Sequence, residues 1–575
     1  MDIKNINMPD IWGQGSIFAS SGLSTYTSAG KSIVGSFLAD KIGFEFKTPV
    51  RVWLYLQPRR ISDIHFDIVT SDLIVGKTVS SDGQVSDLVI TFVTENTIVI
   101  NTCSDMKVCV ASDEVMDIDN KDNIKMITYG DQHFCLIERN YGNLTTASFS
   151  YGQNCIHDAR KALEVNIQEN VEEKKIFYQQ LPRPRFHDID EEKLYYKCFS
   201  VMRSMIYSPE GRYKTLWTTP DRYPHKDCWL WDTAFHVIGL KYIHKSVAED
   251  ALRAVFATQH EDGYIAHQSS TDSESKVTQP PVLAWAVYEL YKSTGDIALA
   301  GELFDKLTSY LNWDKQNRDS NHNNLLEYAI NIDSTTNRCD ESGMDNSPRF
   351  DGETSLDCID FSCFYANEAR CMTKLAELLH KENEQMLWQR EYEQVKNAIN
   401  NLLWDENQKF YFDRRMDGTL TACKSVSSFL TLFAGICDSE KAAYLIEHLL
   451  DPNEFGTAFP IPTVSADDKT YSTMDMFRGT VWLNFNYLIA VGLDEYGYHK
   501  LADQLRHATI DEVKKWYLSD GVIYEFYDSR DKVAPRRLSR KGEALQPYLP
   551  DIRIQCVRDF SWGSCMIPDM LLNRK

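Results

Sequence analysis

The hydrophobic period of this chain changes near residue 188, and that change restricts it to an architecture of two unlike parts. Upstream, short β-branched and aromatic runs recur: Arg51 to Leu56, Asp87 to Val93, Thr97 to Ile100, His133 to Ile137 and Thr145 to Phe149. Ser, Asp, Gly and Asn punctuate them, the pattern of strands and turns. Residues 1–150 are therefore expected to form an all-β sandwich. Residues 151–187 are mixed and charged and end in Leu181-Pro182-Arg183-Pro184-Arg185, which reads as a linker. From 188 to 575 the apolar spacing is helical. Helices are expected at Glu191–Ile206, Trp231–Ile243, Val247–Thr258, Val282–Ser293, Ala298–Leu311 and Phe361–His380. Five more are expected at Glu384–Leu403, Val426–Ile436, Lys441–Leu450, Val481–Val491 and His499–Leu518. About eleven paired helices suit a closed double ring, the (α/α)6 toroid, better than a four-helix bundle. An α-solenoid would show a fixed repeat, and none is found. At 575 residues the chain is long enough for two or three domains.

Composition narrows the partners. The formal net charge of −22 opposes binding to phosphate backbones or anionic membranes. No run of about 18 apolar residues suggests a membrane span. Met1-Asp2-Ile3-Lys4-Asn5 does not resemble a signal peptide. The 14 cysteines include no CxxC pair, so reduced, buried thiols are expected rather than zinc or disulfides. Together these readings predict a cytoplasmic protein. Aromatic residues make up 12% of the chain, enough to fill a large core and also to stack on sugar rings.

The chemistry concentrates in a few segments. Asp340-Glu341-Ser342-Gly343-Met344-Asp345-Asn346-Ser347-Pro348-Arg349-Phe350-Asp351 has neither helical nor strand period and reads as a loop between helices. It interleaves carboxylates with Met344, Pro348 and Phe350, unlike a plain solvated acidic turn. In Gly521-Val522-Ile523-Tyr524-Glu525-Phe526-Tyr527-Asp528, Glu525 lies among aromatic rings, which can desolvate it and tune its acidity. Trp229-Leu230-Trp231-Asp232 opens a helix, where Asp232 is either a cap or a hydroxyl acceptor beside a stacking platform. Thr278-Gln279-Pro280-Pro281 runs into the next helix. Asn317 to Glu327 alternates oxygen ligands and is a candidate calcium loop, but it lacks EF-hand spacing. Otherwise no cofactor is expected.

Glu341-Ser342-Gly343-Met344-Asp345-Asn346-Ser347-Pro348 resembles the general-acid loop of glycoside hydrolase family 63 and its mannosylglycerate/glucosylglycerate hydrolase relatives. It is also similar to the matching segment of family 37 trehalases. The resemblance extends over the whole helical part. It implies the toroid, a preceding β-domain, Asp345 as general acid and Glu525 as general base. It also implies a sugar-binding set: Trp229, Trp231, Asp232, Gln279, Glu341, Asn346, Arg478, Gly479, Trp482, Tyr527 and Trp562. Met476-Phe477-Arg478-Gly479-Thr480-Val481-Trp482 departs from the family's Tyr-Trp-Arg-Gly-Pro-x-Trp at Met476, Phe477 and Thr480. The implied activity is an exo-acting, inverting α-glycosidase working on an α-linked, gluco-configured glycoside. Its carboxyls would stand roughly 6.5–9.5 Å apart. The alternatives are a glycoside phosphorylase on the same toroid and a non-catalytic carbohydrate-binding protein. The expected partner is a small carbohydrate or glycoside.

Overall fold

The computed structural model describes residues 5–574 apart from 24–31, 49, 115, 122, 223–224, 335, 472–474 and 542–554. Two antiparallel sheets form the N-terminal sandwich. The first runs in the order β1 (Ile17–Ala19), β2 (Val34–Phe37), β3 (Ile42–Lys47), β4 (Arg51–Pro58), β9 (Met106–Ser112). The second runs β10 (Asp117–Lys121), β11 (Ile124–Tyr129), β12 (Gln132–Tyr141), β13 (Leu144–Tyr151), β8 (Thr97–Cys103), β7 (Val85–Thr94), β6 (Leu73–Ser80), β5 (Ile61–Val69). β4 shows why the alternation folds this way. Val52, Leu54 and Leu56 are buried between the sheets, while Arg51, Trp53 and Tyr55 on the other face are half-buried. The polar strand β10, exposed along its whole length, carries too little apolar alternation to be seen in the sequence.

Between sandwich and toroid, the segment read as a linker holds two helices, α1 (Cys155–Ala162) and α2 (Ile167–Gln180). Helix α1 packs on β12 and β13, and Lys174 of α2 reaches Asp72 at 3.3 Å. The prolines at 182 and 184 fall after α2, where they stop it.

The toroid alternates outer and inner helices. The outer ones are α3 (Ile189–Ser204), α5 (Lys245–Phe256), α7 (Ala298–Arg318), α9 (Glu382–Leu402), α11 (Ser439–Leu450) and α13 (His499–Asp520). The inner ones are α4 (Leu230–Ile243), α6 (Leu283–Thr294), α8 (Ile359–Leu378), α10 (Leu430–Phe433), α12 (Leu483–Glu495) and α14 (Ser561–Leu572). Contacts run α4–α6–α8–α10–α12–α14 and back to α4, so the inner ring closes. Sequence dictates which ring a helix joins. Every residue of α4 from Leu230 to Leu240 is buried, whereas α9 buries only the single stripe Trp388, Tyr392, Val395, Ala398 and Ile399. The helix expected over Val426–Ile436 is a 3-10 turn, Val426–Phe429, followed by the one-turn α10. Helix α14 escaped the sequence reading because Pro568 lies inside it.

All 14 cysteines are free, twelve of them buried. Among the described residues no helix is long and apolar enough to cross a membrane.

Candidate active site

Short two-stranded ribbons at the ends of the inner helices converge on one cavity of about 310 Å³. Cys228–Trp229 pairs with Gln268–Ser269, and Thr480–Val481 pairs with Tyr527–Asp528. Ser539 bridges both Asp475 and Gln555, and Tyr524 bridges Arg558. Of the residues expected from sequence, Asp345, Glu525, Trp229, Trp231, Asp232, Gln279, Trp482 and Trp562 line the cavity.

The acid loop is rigidly held. Gly343 adopts φ +65°, and a Cβ there would stand 2.1 Å from the Trp231 ring, so the turn and the close approach both require glycine. Arg349 is fully buried and donates to Asp360 (2.6 and 2.8 Å) and Asp413 (2.8 and 2.7 Å), tying the loop to α8. Those two aspartates and Cys358 are the one cluster of potential metal ligands among the described residues, and the Arg349 guanidinium is bonded to both aspartates.

Several expected binders do not line the cavity, and three of them, Glu341, Asn346 and Arg478, anchor the acid loop instead. Glu341 is fully buried and accepts from Arg318 (2.7 Å), Ala329 N (2.6 Å) and Thr278 N (3.2 Å). Asn346 donates to Asp475 and accepts from Phe477 N at 3.0 Å. Arg478 donates to the Asn346 carbonyl at 2.9 Å and pairs with Asp351. Gly479, at φ +116°, accepts from Ser529 at 2.6 Å, and the buried Tyr527 hydroxyl accepts from Tyr524 N. The candidate calcium loop spends its polar groups internally: Asp319 accepts from the backbone of Asn323 and Asn324, and the Asn321 and Asn323 amides donate to Asp357.

Four tryptophans line the cavity, and three of them, Trp231, Trp482 and Trp562, stand together. The Trp231 and Trp562 centroids lie 5.1 Å apart, edge to face, and Trp482 stands 5.5 Å from Trp562 while stacking on Phe477 at 4.1 Å. Asp232 is not a helix cap; it accepts from the Trp562 indole N–H at 2.7 Å. Burial pushes its carboxyl up to about 8, against the pull of that indole, and the nearby charges of Asp221 and Glu525 add to the rise. The Gln279 oxygen accepts from the Trp231 backbone N–H at 3.1 Å, which leaves its amide hydrogens as what it offers the cavity.

Each of the two principal carboxylates is held by a residue that the sequence reading missed, and the two are consecutive. Arg540 donates through Nε to both Glu525 oxygens (3.2 and 3.1 Å). Val557 N also donates to Glu525 at 3.3 Å. The other side of the Arg540 guanidinium meets His225 Nε2 at 2.9 Å, so His225 accepts there, and its Nδ1 donates to Asp221 at 2.5 Å. Lys541 pairs with Asp345 and donates to Asn337 at 2.6 Å. Burial raises the Asp345 carboxyl, but the contact with Lys541, helped by Arg540 and His267, brings it below the ordinary value. Asp340, on the same loop, moves the other way. Burial and the charge of Asp345 push it up to about 6. The only sequence signal for this pair was a run of cations, Arg536, Arg537, Arg540 and Lys541, in a strongly acidic chain.

The profile of the mannosylglycerate hydrolase MGH1-like glycoside hydrolase domain matches residues 223–537. An uncharacterized protein of Borreliella burgdorferi is 27% identical over 252 residues, covering 43% of this chain and 50% of its own length. The chain thus spans half of that relative. Mannosylglycerate hydrolase MGH1 of Selaginella moellendorffii is 26% identical over 388 residues, covering 53% of this chain and 75% of its own. The solved GH63 mannosylglycerate hydrolase of Thermus thermophilus, in complex with glucose, superposes with a TM-score of 0.53 at 22% identity. That match covers 65% of this chain and 99% of the other, a likeness of fold.

Proposed function

Since the chain belongs to the mannosylglycerate hydrolase MGH1-like glycoside hydrolase family and is a glycoside hydrolase of the GH63 kind, we propose that it cleaves an α-linked, gluco-configured glycoside with inversion. The observation that carries this reading is one aromatic-walled cavity lined by carboxylates from two distant segments, Asp345 and Glu525. Asp345 gives its proton to the glycosidic oxygen as the bond from the anomeric carbon to that oxygen breaks. Glu525, paired with Arg540, takes a proton from a water whose oxygen bonds to the anomeric carbon from the opposite face. Trp231, Trp482 and Trp562 supply the faces on which a sugar ring stacks, and Asp232 and Gln279 meet its hydroxyls.

The test is a panel of α-glucosides, α-mannosides and their glycerate-linked forms, read by product release. Asp345→Asn is expected to abolish cleavage of substrates with poor leaving groups, by at least the roughly 10²-fold that general acids contribute. It should spare an activated aryl glycoside, whose leaving group needs little protonation. Glu525→Gln should abolish both. Retention of the poor-leaving-group reaction by Asp345→Asn would remove Asp345 from the mechanism.

A second reading has one observation in its favour. Asp340 lines the same cavity and holds its proton to about pH 6, while Asp345 is ionised below the ordinary aspartate range. If Asp340 were the donor, Asp340→Asn and not Asp345→Asn would show the leaving-group pattern.

A further inference from the structure

Residues 539–541 place two cations on two carboxylates from one short stretch of backbone. Ser539 is fixed by its bridges to Asp475 and Gln555, and Lys541 N donates to Asp475 at 2.9 Å. Lys541 itself has φ +60°, the left-handed region that is strained for a residue with a Cβ. Such backbone persists where its surroundings over-determine it. Here the surroundings are Asp475 on the amide, Asn337 on the ammonium and Asp345 beyond it. The strained turn aims the side chain at the acid.

That aim conflicts with the acid's task. A general acid must carry a proton, yet an ammonium in contact stabilises the carboxylate form. The other groups facing Asp345 do not cancel this. Arg540 adds positive charge, and burial holds His267 down to about 4, hence neutral at ordinary pH. Asp340 is an acidic neighbour on the same loop, and the charge of Asp345 pushes its carboxyl up.

We propose that Lys541 is a latch on the acid: in the empty cavity its ammonium holds Asp345 ionised, and Asp345 becomes a proton donor only when a bound glycoside displaces that ammonium. Arg540, by contrast, is a permanent positioning residue. It is braced through His225 to Asp221, so it stays in place on the base while the acid changes state. The latch rests on the acid reading of Asp345. It extends that reading by making protonation of the acid conditional on occupancy of the cavity.

The test is a 13C-carboxyl NMR titration of the full-length enzyme, with Asp345 assigned by its absence in Asp345→Asn. The wild-type midpoint is expected below the ordinary aspartate value of about 3.9. Lys541→Met should raise it by at least about one unit, a tenfold gain in the protonated fraction near neutral pH. Lys541→Arg should keep it low. Lys541→Gly, which is at ease at positive φ, gives the same reading if the methionine variant does not fold. An unchanged midpoint in Lys541→Met or Lys541→Gly overturns the latch. Displacement is read on the cleaved α-glycosylglycerate, because kcat/KM reports the free enzyme and kcat the complex. In the wild type the alkaline limb of kcat should lie at higher pH than that of kcat/KM, and in Lys541→Met the two should coincide. Limbs equally separated in both would contradict displacement. Failure of the acid reading shows separately, as retained poor-leaving-group cleavage by Asp345→Asn.

Discussion

Asp232 shows at the scale of one side chain how this cavity trades stability for chemistry. Its carboxyl is buried against Trp562 and retains a proton to about pH 8. In an unfolded chain it would release that proton near pH 4, at about 3.9. Between those two values the native state binds the extra proton, so stability falls as pH rises. Asp232→Asn keeps an oxygen for the indole and removes the titration. Its melting temperature should exceed that of the wild type by a margin that widens from about pH 5 to about pH 8, measured by calorimetry. A constant margin would mean that Asp232 is ionised in the native state. Gly343 makes the same point without charge, because the residue that lets Trp231 approach the acid loop is the one with no side chain to offer.

Among elements, the acid loop depends on a buried ionic knot more than on its own conformation. Arg349 is wholly enclosed and satisfies Asp360, Asp413 and the Ser427 hydroxyl. Arg349→Met would leave two carboxylates buried without a counter-charge, which costs about 3–5 kcal/mol. The urea midpoint should fall accordingly at pH 7 and partly recover toward pH 5 as the freed carboxylates take up protons. A loss independent of pH would contradict this account of the knot. The knot also explains what could be read from the sequence. The octapeptide around Asp345 and the aromatic run around Glu525 were legible, because such residue types have few other uses in that spacing. Helices α3 to α9 were legible from period alone. Polar strands such as β10 were not, since their side chains are exposed on both faces. Glu341, Asn346, Arg478, Gly479 and Tyr527 share segments with cavity residues, but the turns direct the first three into the loop's supports and the last two onto Ser529 and Tyr524. Arg540 and Lys541 were missed because two cations acquire meaning only when the fold sets one on Glu525 and a left-handed turn at Lys541 sets the other on Asp345, far away in sequence.

At the scale of the whole molecule, the sandwich is part of what holds the base segment. Asp559 accepts from Ser16 (2.5 Å), Ile17 N (3.1 Å), Lys197 (2.7 Å) and Ile523 N (3.2 Å), joining β1, α3 and the segment that carries Glu525. Met8, Ile17, Ala19 and Leu73 are buried in the same apolar core as the toroid helices. A chain reduced to residues 188–575 should therefore melt below the full-length protein and lose activity even at temperatures where it stays folded. Equal melting temperature and turnover would make the sandwich an independent appendage. The central claim, that two carboxylates face each other across one cavity with a water on the far side of the sugar, has a direct readout. Proton NMR, recorded before mutarotation on the α-linked substrate that the panel identifies, should show the β-anomer of the released sugar first. The α-anomer appearing first, or a covalent glycosyl adduct on Glu525, would contradict both the inverting mechanism and the role given to Glu525.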